Sequence, residues 1–440
     1  MSMVLIKFSF INNMKKITFA TNIGPNTLEY TKLLVKSLKE NLDGTEHELL
    51  FFVDNDTDNT LDYLKSIKKD FYKVTIIRHK LNPIVGPERN INLIVDFSSN
   101  DIVSYLQTDM VISKHYDTDI LRDLEEDCIL SSTRIEPPLH GVSDKTITKN
   151  FGLTPYEFDW DSFLKFADEI KENKSIEYFF APFTFYKDSW KKLGGFDTIF
   201  RRSRCDSDLV QRCLLGGIKL KQTFSANVYH FTCVSSRGKN WYNLNNNLAK
   251  KRVELQNNAD FIELRKFVRK WGSFNHGDSK LIKFDIDLVV VGNITNNYKL
   301  IYDLEPFFSR VWFNNTNDRD NTKNLNLDEN EYANVLYNFK SGDWDKSKIF
   351  YNQTDYDSIY KVGAPDKFNI KIEVNFNKIN YMGDEFLQNV QNIHLILSEY
   401  GVGVYEFGFA KIEILNLAIV SPTNSLINNP PFDNSLLIVE

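Results

Sequence analysis

The chain has 440 residues, 42% of them hydrophobic and 25% charged, a balance that excludes a disordered or fibrous protein and suggests roughly two to three globular domains. Lys and Arg number 53 against 59 Asp and Glu, a formal charge of −6 at pH 7, which argues against a broad surface for gripping nucleic acid. The four cysteines, Cys128, Cys205, Cys213 and Cys233, have neither C-x-x-C nor zinc-site spacing and read as free thiols of a reducing compartment. No apolar run reaches the roughly 18 residues of a membrane span, so no transmembrane segment and a cytoplasmic location are expected.

Residues 1–15 read as an extension ahead of the first good strand, the β run at 16–21. A helix follows at 26–42, with Leu28, Leu33, Leu34, Val35 and Leu38 at helical spacing, and then the continuous apolar strand 49–53, ending at Asp54. Helix 61–67, strand 73–77, a helix opened by Gly86-Pro87 and strand 102–106 continue the rhythm. Such βαβα alternation predicts an α/β fold, a mostly parallel sheet with helices on both faces, whose ligands bind beyond the carboxyl ends of the strands. Asp54 and Asp109 both fall there. Further on come a helix at 159–173, an aromatic strand at 176–186, a turn at 193–197, a helix at 206–215 and a strand at 218–229 before His230. A long helix at 245–271 carries a basic face that includes Lys250, Lys251, Arg252, Arg265, Lys266, Arg269 and Lys270. A boundary near 272–278 separates a first domain, 16–272, from a second, smaller α/β domain, 280–440. The second reads as strand 287–291, helix 298–308, strand 311–313, an Asn- and Asp-rich loop at 314–330, helix 385–399 and strand 411–420, with no repeat of the first domain's motif order.

Each chemical signal has a plain structural alternative. Asp54-Asn55-Asp56 can accept hydrogen bonds from a ribose or base, or be a polar turn. Arg89 can reach a diphosphate, or belong to an ordinary helix start. Asp109, after Gln107-Thr108, can hold a divalent cation that bridges phosphates, or be a solvated strand end. Asp206 and Asp208 open a helix, where an acid serves as a cap or as a general base. His230 can complete a metal site with Asp109, or be structural. Gly401-Val402-Gly403 lacks the third glycine of a dinucleotide fingerprint, since position 406 is Glu406, and neither a P-loop nor a serine elbow occurs.

The order of these segments resembles the glycosyltransferase family 2 type of GT-A enzyme over residues 16–232. The likeness rests on FFVDNDTDNT, on GPERNINLIVDFSSNDIVSYLQTDM, on FFAPFTFYKDSWKKLGGFD and on CDSDLVQRCLLGG. The resemblance implies that Thr21, Asp54, Arg89 and Thr108 contact the nucleotide, that Asp109 and His230 bind the metal, and that Asp206 is the catalytic base. Two positions depart from the pattern: Gln107 replaces the first acid of D-x-D, and Cys205 replaces the acid before the base. The implied activity is inverting transfer of a sugar from a nucleotide diphosphate sugar, UDP-sugar favoured, to a glycan or other hydroxyl acceptor with Mn²⁺ or Mg²⁺. A non-catalytic nucleotide-sugar or glycan-binding module and a sugar transferase acting on modified DNA bases stay open. A nucleotidyltransferase is disfavoured, because Ile23-Gly24-Pro25-Asn26 lacks a glycine-rich basic loop.

Overall fold

The computed structural model describes residues 15–54, 56–80, 87–139, 143–200, 203–232, 262–274, 283–323, 359–379, 383–419 and 437–440. Residues 1–14 of the expected extension 1–15, Arg201-Arg202, Cys233 and residues 245–261 of the expected helix 245–271 lie outside the described residues. The chain divides into two compact units, one of Met1–Thr198, Arg212–Gln256 and Asn429–Glu440, the other of Ile199–Gln211 and Asn257–Asn428.

In the first unit, β1 (Ile17–Ile23), β2 (Glu48–Val53), β3 (Lys73–His79) and β4 (Ile102–Gln107) are parallel, in the order β3-β2-β1-β4. Every residue of β2 is buried, as expected of a strand covered on both faces. Helix α1 (Leu28–Asn41) lays Leu34, Val35 and Leu38 into the same cluster as Ile17, Phe19 and Ile23 of β1. Helix α2 (Thr60–Ser66) leads from β2 to β3, and α3 (Pro87–Phe97) from β3 to β4. The parallel registers bring the carboxyl ends of β1, β2 and β4 side by side, with Asn22 opposite both Phe52 and Gln107.

The other half of the sheet is mixed. After β5 (Met110–Ile112), α4 (Tyr116–Asp123) leads into β6 (Cys128–Glu136). Later strands are β7 (Thr146–Thr148), β8 (Ser175–Ile176), β9 (Phe183–Tyr186) and β10 (Lys219–His230). The order continues β4-β9-β6-β10-β5, with β9 antiparallel to both β4 and β6, and β10 parallel to β6 but antiparallel to β5. Helix α5 (Trp160–Glu169) is shorter than the expected 159–173 and is capped by Asp159, whose side chain accepts from the Ser162 N–H at 3.2 Å. The aromatic run read as one strand over 176–186 joins the ladder only at its two ends; residues 177–182 are not strand, because aromatic content reports burial rather than ladder pairing.

Helix α6 (Lys187–Leu193) was not expected, and it ends on Gly194 at φ 74°. Gly195, at φ 76°, continues the turn, which Asn92 of α3 clamps from both sides. Its Oδ1 accepts from the Phe196 N–H at 2.8 Å, and its Nδ2 donates to the Phe196 carbonyl at 2.8 Å. Helix α7 (Cys205–Gly216) follows the turn.

The second unit holds β11 (Ile286–Val291), α8 (Tyr298–Leu304), β12 (Arg310–Phe313), α9 (Thr316–Lys323), β13 (Tyr360–Val362) and β14 (Ile370–Asn375). It continues with α10 (Gly383–Gln391), α11 (Ile393–Glu399), β15 (Gly403–Phe407) and β16 (Ala410–Ile414). Its sheet order is β13-β12-β11-β14-β16-β15, the first four strands parallel. The segment read as a loop from 314 contains α9, whose start is fixed by Asn315 Oδ1 accepting from the Asp318 N–H at 2.8 Å. Although no repeated motif is visible in the sequence, the parallel order of β13-β12-β11-β14 matches that of β3-β2-β1-β4. Ile286 faces Ile370 as Ile17 faces Ile102, and β14 runs into Asn375-Phe376-Asn377 where β4 runs into Gln107-Thr108-Asp109. The last strand, β17 (Leu437–Val439), which sequence order grouped with the second domain, pairs antiparallel with β3. A three-residue apolar run carries no information about which sheet edge it will join.

A Cβ at Gly195 would lie 2.3 Å from Asn92 Oδ1 and 2.9 Å from Trp190 Nε1, on top of the strain of its positive φ. Gly195→Ala is therefore expected to destabilise the protein by more than about 1 kcal/mol. Denaturant titration checks this, and an unchanged midpoint would contradict it.

Candidate active site

The carboxyl edge of β1, β2 and β4 is stitched together by short polar contacts. The Asp54 N–H donates to the Ile23 carbonyl at 2.8 Å, so the acid after β2 is anchored to the end of β1. Thr108 Oγ1 donates to the Asn22 carbonyl at 2.8 Å, joining β4's exit to β1. Asn90 of α3 donates from Nδ2 to Asn22 Oδ1 at 2.9 Å. Asp54, Thr108, Asp109 and Asn90 are all buried, whereas Arg89 is half-buried in the first turn of α3. Thr21 sits deeper, within the ladder between Phe51 and Leu106. The acids that follow Asp54 serve local structure. Asp58 Oδ2 accepts from the Leu28 N–H at 2.9 Å at the start of α1, and Asp56 Oδ1 from the Thr60 N–H at 3.0 Å.

Asp109 and His230 meet because β10 returns antiparallel to β5. His230 pairs with Met110, and the Phe231 N–H donates to the Asp109 carbonyl at 3.0 Å. Both side chains are buried, with His230 Nε2 3.6 Å from Asp109 Oδ1. The other ring nitrogen, Nδ1, lies 2.7 Å from Glu136 Oε1, at the end of β6. Arg134, two residues earlier on that strand, approaches Glu136 Oε1 with Nη1 and Gln107 Oε1 with Nη2, each at 3.3 Å. Its guanidinium stacks 3.5 Å from the centre of the Phe180 ring, and its Nε donates to the Ala181 carbonyl. A chain of polar groups thus runs Asp109–His230–Glu136–Arg134–Gln107.

Sequence reading missed Glu136 and Arg134. The available signal was T-R-I-E closing an otherwise uncharged strand: two charges at alternate positions, hence on one face, of a segment buried at all nine positions.

An oxygen and an imidazole nitrogen are suitable donors for Mn²⁺ or Mg²⁺, and the facing Asp109 and His230 fit such an ion. Among the described residues no group of three or more His, Cys, Asp or Glu forms a metal cluster. Asp109 and His230 would hold such an ion, which would supply positive charge to offset the negative charge of a diphosphate.

Asp206 belongs to the second unit. It lies inside the first turn of α7 rather than at its cap, is exposed, and its Oδ1 accepts from the Ser207 N–H at 2.9 Å. Asp208 is fully buried, its Oδ1 held by Trp271 Nε1 at 2.9 Å and by Lys270 Nζ at 2.6 Å. Of the two acids, Asp208 is committed to packing and Asp206 is the one open to solvent. Among the described residues, the expected basic face over 265–270 is also committed. Arg265 and Arg269 each reach Glu305 at 2.7 Å, and Lys266 reaches Glu263 at 2.8 Å.

Residues 26–192 match the model of Glycosyl transferase family 2. The match bears out the resemblance drawn from the motifs, and the family is one of sugar-transferring enzymes. No curated protein matches the chain. Among solved structures, GalNAc-T7 with UDP, GalNAc and Mn²⁺ is similar at 13% identity over 50% of this chain and 43% of that one, with a TM-score of 0.38. S. aureus TarS is similar at 15% identity over 59% of this chain and 48% of that one, TM-score 0.38. The mannosyltransferase PcManGT from Pyrobaculum calidifontis, with GDP-Man and Mn²⁺, is similar at 13% identity over 59% of this chain and 66% of that one, TM-score 0.40. The chain spans less than half the length of the first two.

Beside the site, His79 ends β3, buried against Phe52 with ring centroids 5.2 Å apart. Burial pulls its pKa down to about 4; a hydrogen bond to the Asn90 side chain opposes the shift and the nearby Arg89 charge adds to it. Because the folded value lies below the unfolded one, the unfolded chain takes up the proton first. Stability therefore falls as pH drops from about 6.5 to about 4, by roughly 3 kcal/mol from this group. Urea titrations at pH 7 and pH 4 are expected to show a smaller drop for His79→Gln than for the parent, and equal drops would contradict the assignment.

Proposed function

We propose that the chain is an inverting, metal-dependent glycosyltransferase, moving a sugar from a nucleoside diphosphate sugar, with UDP-sugars favoured, to a hydroxyl of a glycan or other acceptor. The observation that carries this reading is the buried Asp109–His230 pair at 3.6 Å, beside the shared carboxyl edge of β1, β2 and β4. The family 2 match over residues 26–192 takes in the carboxyl ends of β2 and β4 and Asp109, while β1 and His230 lie outside it. The solved structures named above include complexes with UDP and Mn²⁺ and with GDP-Man and Mn²⁺, the ligand classes proposed here.

Asp54 would accept from the base or ribose, with Thr21, Thr108 and Arg89 on the nucleotide side. Asp109 and His230 would hold a divalent cation, Mn²⁺ or Mg²⁺, which when bound offsets the charge developing on the leaving diphosphate. Asp206 would take the proton from the acceptor hydroxyl as its oxygen attacks the anomeric carbon. Attack from the face opposite the diphosphate inverts that carbon, by the logic of single-displacement glycosidases. Asp208 is unsuited to this role, since Trp271 and Lys270 already occupy its carboxylate.

In this reading residues 16–272 carry the chemistry, and nucleic acid is disfavoured as the acceptor by the acidic balance of the chain and by the acidic partners of Arg265, Lys266, Arg269 and Lys270. No helix among the described residues is long and apolar enough to cross a membrane, and a cytoplasmic setting is proposed.

The experiment for the reaction class is a panel of nucleotide sugars with and without Mn²⁺, scored by nucleoside diphosphate release. Release dependent on both acceptor and metal is expected; binding without release for every donor would point to a non-catalytic module. Asp206→Asn should lower kcat by roughly 10²–10⁴-fold with donor affinity unchanged. A fully active Asp206→Asn enzyme would remove the base assignment. Asp109→Ala should weaken Mn²⁺-dependent UDP binding in titration calorimetry, and unaltered binding would make Asp109 purely structural.

A further inference from the structure

The proposed metal site has one acid where the family pattern has two, yet a second acid lies one contact further away. Glu136 Oε1 is 2.7 Å from His230 Nδ1, on the side of the ring opposite Asp109. Glu136 is itself buried and held in place by Arg134 Nη1 at 3.3 Å. Arg134 is fixed in turn by Gln107 Oε1, the Ala181 carbonyl and the Phe180 ring.

A histidine that binds a metal through one nitrogen gains from a carboxylate accepting the N–H of the other. The contact fixes the tautomer, sets the ring's orientation and raises the basicity of the coordinating nitrogen. We propose that Glu136 is the positioning residue of His230, holding it with Nε2 turned toward Asp109 and the metal, and that Arg134 anchors Glu136 for this task. This inference rests on the reading of Asp109 and His230 as metal donors.

The exchange at position 107 then has a physical sense. Arg134 has both Glu136 and position 107 within reach, and two acids would share its one positive charge. With neutral Gln107, the guanidinium keeps a hydrogen-bond partner there while its charge is directed to Glu136. The acid missing from the strand end is replaced by one that acts through the histidine.

The test is a double-mutant cycle read as Mn²⁺ affinity rather than turnover. Mn²⁺ is titrated in the presence of UDP by electron paramagnetic resonance, using the full chain, His230→Ala, Glu136→Gln and the double variant. Glu136→Gln should lower Mn²⁺ affinity by roughly 10–100-fold. In the His230→Ala background it should add nothing, because Glu136 acts only through that ring. Glu136→Asp, which keeps the charge, should recover part of the loss and provides the same comparison if Glu136→Gln does not fold. If His230→Ala weakens Mn²⁺ binding while Glu136 substitutions leave it unchanged, or add their loss independently, the positioning role is overturned. If His230→Ala has no effect, the metal-site reading itself fails.

Discussion

The site depends on one strand pairing. β10 travels parallel to β6, then pairs antiparallel with β5, and the register sets His230 against Met110. A shift of one residue would turn the imidazole to the other face of the sheet, because side chains alternate with period two. The backbone bond from Phe231 to Asp109 pins that register at its end, where it matters most. Asp109 and His230, distant in the chain, are thereby fixed by main-chain geometry, the kind of preorganisation that the proposed metal site requires.

The buried charges around that pair fall into one connected run. Asp109 and Glu136 flank the imidazole, and Arg134 supplies the opposite charge between Glu136 and Gln107. Burying ions singly is costly, and such groups persist when each is hydrogen-bonded or paired. The aromatic cover from Phe180 adds a favourable contact for the guanidinium and shields it from water. On the first strand, Asn22 plays a neutral counterpart, receiving Thr108 on its carbonyl and Asn90 on its side chain.

Much of the first unit was legible in the sequence because hydrophobic period and strand-end acids coincide there. Strands β1 to β4 and the helices between them follow from continuous apolar runs and helical spacing, and the acids at 54 and 109 fall at strand ends as topology demands. Other features were illegible for identifiable reasons. Glu136 and Arg134 gain their meaning from contacts with residues far away in the chain, which no local pattern records. Helix α6 is a seven-residue segment followed by two glycines, so the turn masked the helix before it. Asp206 and Asp208 look alike in sequence; burial against Trp271 and Lys270 distinguishes Asp208 from the exposed Asp206. The second sheet shares a strand order with the first but carries Asn375 and Asn377 at the strand end where Gln107 and Asp109 stand, so motif matching passes over it.

The central claim is that one divalent cation, brought with the nucleotide, sits between the side chains of Asp109 and His230. Anomalous diffraction at the manganese edge, from crystals grown with UDP and Mn²⁺, locates that ion directly. The expected result is a single peak within about 2.3 Å of both an Asp109 oxygen and His230 Nε2. A well-occupied Mn²⁺–UDP complex whose metal touches neither side chain would contradict it.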